Sequence, residues 1–83
     1  MSQWYVYIIR ATDQSLYTGI TTDVERRFAE HQSGRAGAKY FRGRSPVEVV
    51  LVESGHDRSS ASIREAQIKK LSREQKLELI GGS

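Results

Sequence analysis

The chain has 83 residues, enough for one modest hydrophobic core and too few for two independent domains. It contains no cysteine, which rules out a disulfide framework or a Cys-based zinc site, and two well-separated histidines do not replace them. Thirteen Lys and Arg against ten Asp and Glu leave a formal charge of +3, which favours polyanions weakly without selecting one.

No long apolar run follows Met1-Ser2-Gln3-Trp4, so neither a secretory signal nor a membrane span is expected, and a cytoplasmic location is the default expectation. Trp4-Tyr5-Val6-Tyr7-Ile8-Ile9 combines aromatic and β-branched side chains and predicts a strand. Tyr5 and Tyr7 then share one face, with Val6 and Ile8 on the other. Arg10 to Ser15 reads as a short loop, and Leu16-Tyr17-Thr18 as a second strand that Gly19 breaks. A hairpin of this kind brings Tyr7 and Tyr17 close across the sheet.

Thr22-Asp23-Val24-Glu25 has the form of a capping box, predicting a helix that runs to about Ser33 and stops at Gly34. Val24, Arg27, Phe28 and His31 fall on one side of it, and Arg26 points elsewhere. Gly34 to Pro46 shows neither period and is expected to be a loop held by Tyr40 and Phe41. Within it Arg35, Lys39, Arg42 and Arg44 stand without an acidic residue and form a candidate surface for a nucleic-acid backbone.

Val47 to Val52 predicts a third strand, buried through much of its length and ending before the polar stretch Glu53 to Arg58. A second helix is expected over roughly Ser60 to Leu71. Ser72-Arg73-Glu74-Gln75 then starts a short third helix that Gly81-Gly82 stops. The order is β-β-α-β-α-α, an α/β (α+β) chain with one unit over 1–80 and a short flexible tail over 81–83.

Four features carry chemistry, each with a plainer structural alternative. Tyr7 and Tyr17 can move protons, although strand tyrosines commonly just pack, and a phenol with pKa about 10 needs a cation to become a useful base. Arg27 in a cleft could grip a phosphate with two parallel hydrogen bonds, or simply snorkel to solvent. Glu65 lies beside the apolar stripe of the second helix, where it either meets a cation or pairs with Arg64, Lys69 or Arg27. His31 and Lys39 could contact phosphate, with a structural histidine and a solvated lysine as the alternatives. Glu25, Glu30, Glu53 and Glu78 read as caps or surface charges, and His56-Asp57 as a turn or cap.

The ordered set Tyr5-Val6-Tyr7, Tyr17-Thr18-Gly19, Arg27, His31, Gly34, Lys39, Pro46, Glu65 and Ile68-Lys69 resembles the GIY-YIG nuclease family along nearly the whole chain. The glycine of the first motif and the isoleucine of the second are replaced, while the tyrosines and Gly19 are kept. The resemblance is closest to small single-domain bacterial members, without the targeting domains of homing endonucleases, excision-repair nucleases or branched-DNA resolvases. It implies a three-stranded antiparallel sheet flanked by helices. It further implies a metal-dependent endonuclease that hydrolyses phosphodiester bonds, in DNA by family analogy, with one Mg²⁺ or Mn²⁺ held by Glu65. Arg27 would contact the scissile phosphate, and Tyr7 or, preferentially, Tyr17 would accept a proton from the attacking water. His31, Arg35, Lys39, Arg42 and Arg44 would contact substrate. Specificity would come from the loop after the first helix, the shape of the substrate, a protein partner or self-association. The competing expectation is a nucleic-acid-binding module with little turnover.

Overall fold

A computed structural model describes residues 3–34, 41 and 43–81. Strands β1 (Trp4–Ala11), β2 (Leu16–Thr21) and β3 (Pro46–His56) form one antiparallel sheet in the order β2-β1-β3. Helices α1 (Val24–Ser33), α2 (Arg58–Lys69) and α3 (Arg73–Ile80) complete the predicted β-β-α-β-α-α order. Among the described residues no helix is long and apolar enough to cross a membrane.

Strand alternation divides the sheet into two chemically different faces. Val6 and Ile8 enter a core with Ala61 and Ile68 of α2, which Leu79 and Ile80 of α3 help to close. Tyr7 and Ile9 point to the opposite face, where Tyr7 stands opposite Gly19 and Ile9 opposite Tyr17. Helix α1 packs on this second face through His31. Because β1 lies between two strands and under helices on both sides, Val6, Tyr7, Ile8 and Ile9 are all essentially inaccessible.

Four local expectations are corrected by the structure. Gly19 does not end β2, which runs on to Thr21 with Gly19 inside the ladder. Asp23, not Thr22, caps α1: its carboxylate accepts from the Arg26 amide at 3.0 Å, and the Thr21 hydroxyl accepts from the Asp23 amide at 3.1 Å. An aspartate one residue further on competes for the same orphan amides, and it moves the cap. Strand β3 continues through Glu53 to His56 and is an edge strand, with Val47 and Val52 more than two-fifths exposed. Helix α2 starts two residues early because Asp57 and Ser60 form a reciprocal cap, the Ser60 amide donating to Asp57 at 2.7 Å.

Further helix-end signals hold, while Gly82 and the rest of the expected tail lie outside the described residues. Gly34 takes the left-handed conformation that stops α1 (φ 80°), and Ser72 and Gln75 cap α3. The β1–β2 loop turns at Asp13, which accepts from the Ser15 amide, and at Gln14, which has a positive φ of 71°.

Candidate active site

On the helix α1 face the sheet presents a cluster of rings. Tyr7 and Tyr17 lie with centroids 6.3 Å apart, and the imidazole of His31 packs edge-on to Tyr17 at 5.2 Å. Phe41 covers both, 4.8 Å from His31 and 5.1 Å from Tyr17, so it supplies the loop anchor expected of it, while Tyr40 lies outside the described residues. The Tyr7 hydroxyl is 3.1 Å from His31 Nε2 and both residues are buried. His31 Nδ1 is also buried and has no hydrogen-bond partner among the described residues.

The reason Tyr7 can lie flat here is Gly19. A Cβ at position 19 would stand 2.6 Å from the Tyr7 hydroxyl oxygen and 2.7 Å from Cζ, so glycine is needed for space, not for an unusual backbone angle.

Burial drives the Tyr7 phenol up to about 12, with the neighbouring Tyr17 adding to the shift and Arg27 opposing it. The charge of Glu65 also raises Tyr7, which places that carboxylate within electrostatic reach of the ring cluster. Burial and the positive charge of Arg27 hold His31 below the usual histidine range. A neutral imidazole beside a neutral phenol is therefore the resting pair.

Arg27 is about one-third exposed and donates to Glu30 at 3.3 Å. Its burial disfavours the charged form, but hydrogen bonding to Tyr7 and Glu30 outweighs this and holds the guanidinium above its ordinary value. Arg26, one position away, is two-thirds exposed and points off this face, as the helical spacing requires. Glu65 is one-quarter exposed and pairs with Lys69 at 3.5 Å.

Other sequence candidates are placed differently. Arg44 ties the β1–β2 loop, with Nε 3.3 Å from Asp13 and an Nη donating to Ser15 at 3.2 Å. His31 sits behind Tyr7 instead of on the surface. Arg35, Lys39 and Arg42 lie outside the described residues. Two acidic residues read as surface charges have structural partners: Glu30 holds Arg27, and Glu53 accepts three hydrogen bonds from Arg64 at 2.9 to 3.1 Å. The i,i+3 spacing from Arg27 signals the first pair. No local spacing signals the second.

A family model described as the GIY-YIG catalytic domain matches residues 3–78, a span that holds these rings, this arginine and this carboxylate. The chain belongs to the GIY-YIG family. A UPF0213 protein of Syntrophus aciditrophicus is 51% identical over 80 residues, covering 96% of this chain and 92% of that one. A UPF0213 protein of Haloquadratum walsbyi is 56% identical over 75 residues, covering 90% and 83%. The solution NMR structure of a UPF0213 protein from Bacillus halodurans superposes with a TM-score of 0.60 at 44% identity, over 95% of this chain and 83% of that one. A GIY-YIG fold of this kind is consistent with a module that interacts with nucleic acid.

As a hard oxygen donor for a cation, the Glu65 carboxylate is the candidate among the described residues, since Glu30 is held by Arg27. No group of three or more His, Cys, Asp or Glu suited to a metal occurs among the described residues. A single partly exposed carboxylate fits an ion such as Mg²⁺, which keeps several waters and takes few protein ligands. The three or four protein ligands that zinc usually takes are not gathered among the described residues.

Proposed function

We propose that the chain is a metal-dependent endonuclease that hydrolyses phosphodiester bonds in DNA with one Mg²⁺ or Mn²⁺. The observation that carries this reading is the meeting of Tyr7, Tyr17 and Arg27 on one face, within electrostatic reach of Glu65, in a chain matched to a GIY-YIG catalytic domain over residues 3–78.

The residues divide the work by accessibility. Tyr7 is 1% exposed and its phenol holds its proton up to about 12, so it is a poor acceptor for a proton from water. Half-buried Tyr17 is the better base, and Tyr7 with His31 forms the wall that fixes it. Arg27 is free to exchange Glu30 for phosphate, because an ion pair at this exposure is worth only about 0–1 kcal/mol. On a scissile phosphate its two-pronged guanidinium stabilises the charge that grows in the transition state. Glu65 would hold the metal, exchanging its contact with Lys69. Bound there, the ion would polarise a phosphoryl oxygen and stabilise the leaving 3′ oxygen. The products would be a 5′ phosphate and a 3′ hydroxyl.

The test is Glu65→Gln, which keeps size and removes charge. With fold verified, cleavage of branched, single-stranded and duplex DNA in Mg²⁺ or Mn²⁺ is expected to fall by about 100-fold or more, the scale of losing a charge-stabilising group. Unchanged cleavage overturns the mechanism. A second reading, a nucleic-acid-binding module with little turnover, is favoured by the Lys69 ammonium already occupying the Glu65 carboxylate. Salt-dependent binding without metal-dependent cleavage on the same panel would select it.

A further inference from the structure

Helix α2 touches the sheet through two fully buried residues, Ala61 and Ile68, which lie on one stripe. Arg64 and Glu65 sit between them in sequence, about 100° apart around the axis, so they flank that stripe on opposite sides. One flank is fastened. Glu53 of β3 stands opposite Val6 and shares its face of the sheet, and Arg64 reaches it with Nε at 3.0 and 3.1 Å and an Nη at 2.9 Å. His56 adds a contact to Glu53 at 3.3 Å and another to Ser60, in the first turn of the helix, at 3.0 Å.

The other flank carries Glu65. Lys69, with which it pairs, belongs to the same helix and moves with it, so that pair does nothing to fix the helix against the sheet. Ala61 offers only a methyl group to resist rolling. The two-pronged Arg64–Glu53 contact is part-buried, joins helix to sheet and restrains, with a defined direction, how α2 is turned.

We infer that the Glu53–Arg64 pair is a positioning device: it sets the rotation of α2 and so aims the Glu65 carboxylate at the tyrosine face. Neither residue touches substrate or metal. The inference rests on the reading of Glu65 as the cation ligand, and it assigns a role to two residues outside the ring cluster.

The experiment is a Mn²⁺ titration of the full chain, read as paramagnetic broadening of backbone amide signals around Glu65, with no substrate present. Four proteins are compared: unchanged, Arg64→Met, the exchange Glu53→Arg with Arg64→Glu, and Arg58→Ala. Arg64→Met keeps the apolar stem and loses the fork. Arg58→Ala removes a cation–π contact to Trp4, 5.7 Å from the ring centroid, and so loosens the same helix without touching the clamp. Arg64→Met is expected to weaken Mn²⁺ binding about tenfold, the lower end for loss of a group that orients a metal ligand. The exchanged pair is expected to recover the loss, and Arg58→Ala to leave it unchanged.

Unaltered Mn²⁺ affinity in Arg64→Met overturns the inference, and so does an equal loss in Arg58→Ala. Should Arg64→Met not fold, a folded exchange variant that still binds Mn²⁺ weakly overturns it. Absence of broadening in the unchanged protein overturns both this inference and the role of Glu65. Broadening without cleavage of any DNA overturns the nuclease reading alone, and the Arg64→Met comparison still decides the clamp.

Discussion

The Tyr7 phenol occupies the space a side chain at Gly19 would need: a methyl carbon there would stand 2.6 Å from the phenolic oxygen. Gly19→Ala therefore forces the ring or the strand to shift. The expected cost is about 1–3 kcal/mol, in line with overpacking a well-filled site, measured by urea denaturation. Tyr7→Leu made in the Gly19→Ala background is expected to recover part of it. If Gly19→Ala alone is neutral, the close approach is not the reason for glycine.

Raising the pH should unfold the protein through Tyr7. Burial holds the native phenol up at about 12, above the ordinary 10.0, so the folded state keeps a proton that the unfolded chain loses. Stability from this group is fully present below about 10 and is lost as pH rises through 12. Phenolate absorbance followed beside circular dichroism should show one tyrosine ionising together with unfolding. In Tyr7→Phe that coupled step should be missing.

Acid should act through His31. Burial first, and then the charge of Arg27, hold its native value below the ordinary 6.5, with Glu30 opposing. As pH falls below about 6.5 the unfolded chain takes up a proton that the folded chain refuses, so stability drops and the loss is complete below the native value. The urea midpoint should fall between about pH 7.5 and about pH 5 by more in the unchanged protein than in His31→Gln. Equal falls would show that carboxylates alone account for the acid sensitivity.

Arg27→Lys retains the charge but not the planar fork. If Arg27 grips the scissile phosphate, single-turnover cleavage should drop by about 10²–10³-fold while DNA affinity changes little. A loss confined to affinity would make Arg27 a general phosphate contact.

Asp57→Ala removes the acceptor for the Ser60 amide at the start of α2 and should cost about 1 kcal/mol in chemical denaturation. A cost near zero would mean that Ser60 and His56 hold the helix start without it.

Local signals in the sequence are legible where the chain satisfies itself locally. Gly34, Ser72 and Gln75 terminate or start helices through bonds to near neighbours, and alternation in β1 correctly separated Tyr7 from Val6 and Ile8. Misreadings occur where a distant partner decides. Gly19 looks like a strand breaker until the ring of Tyr7, from another strand, is laid over it. Val47 and Val52 look like core residues until β3 is found at the sheet edge. Glu53 looks solvated because Arg64 lies in another element, and the pairing of Arg44 with Asp13 is hidden because Asp13 comes from the first hairpin. The family motif made Tyr7, Tyr17, Arg27 and Glu65 visible as a set, whereas the depth of Tyr7 and His31 depends on the sheet and α1 closing over them.

Central β1 precedes both its partners in the chain, and Val6 must pair with Ile20 on one side and Glu53 on the other. On the ribosome a strand of aromatic and branched residues therefore emerges long before its second neighbour exists. Such distant pairing slows folding and leaves the nascent segment open to wrong associations. The sheet is complete only when β3 arrives and closes the second side of β1.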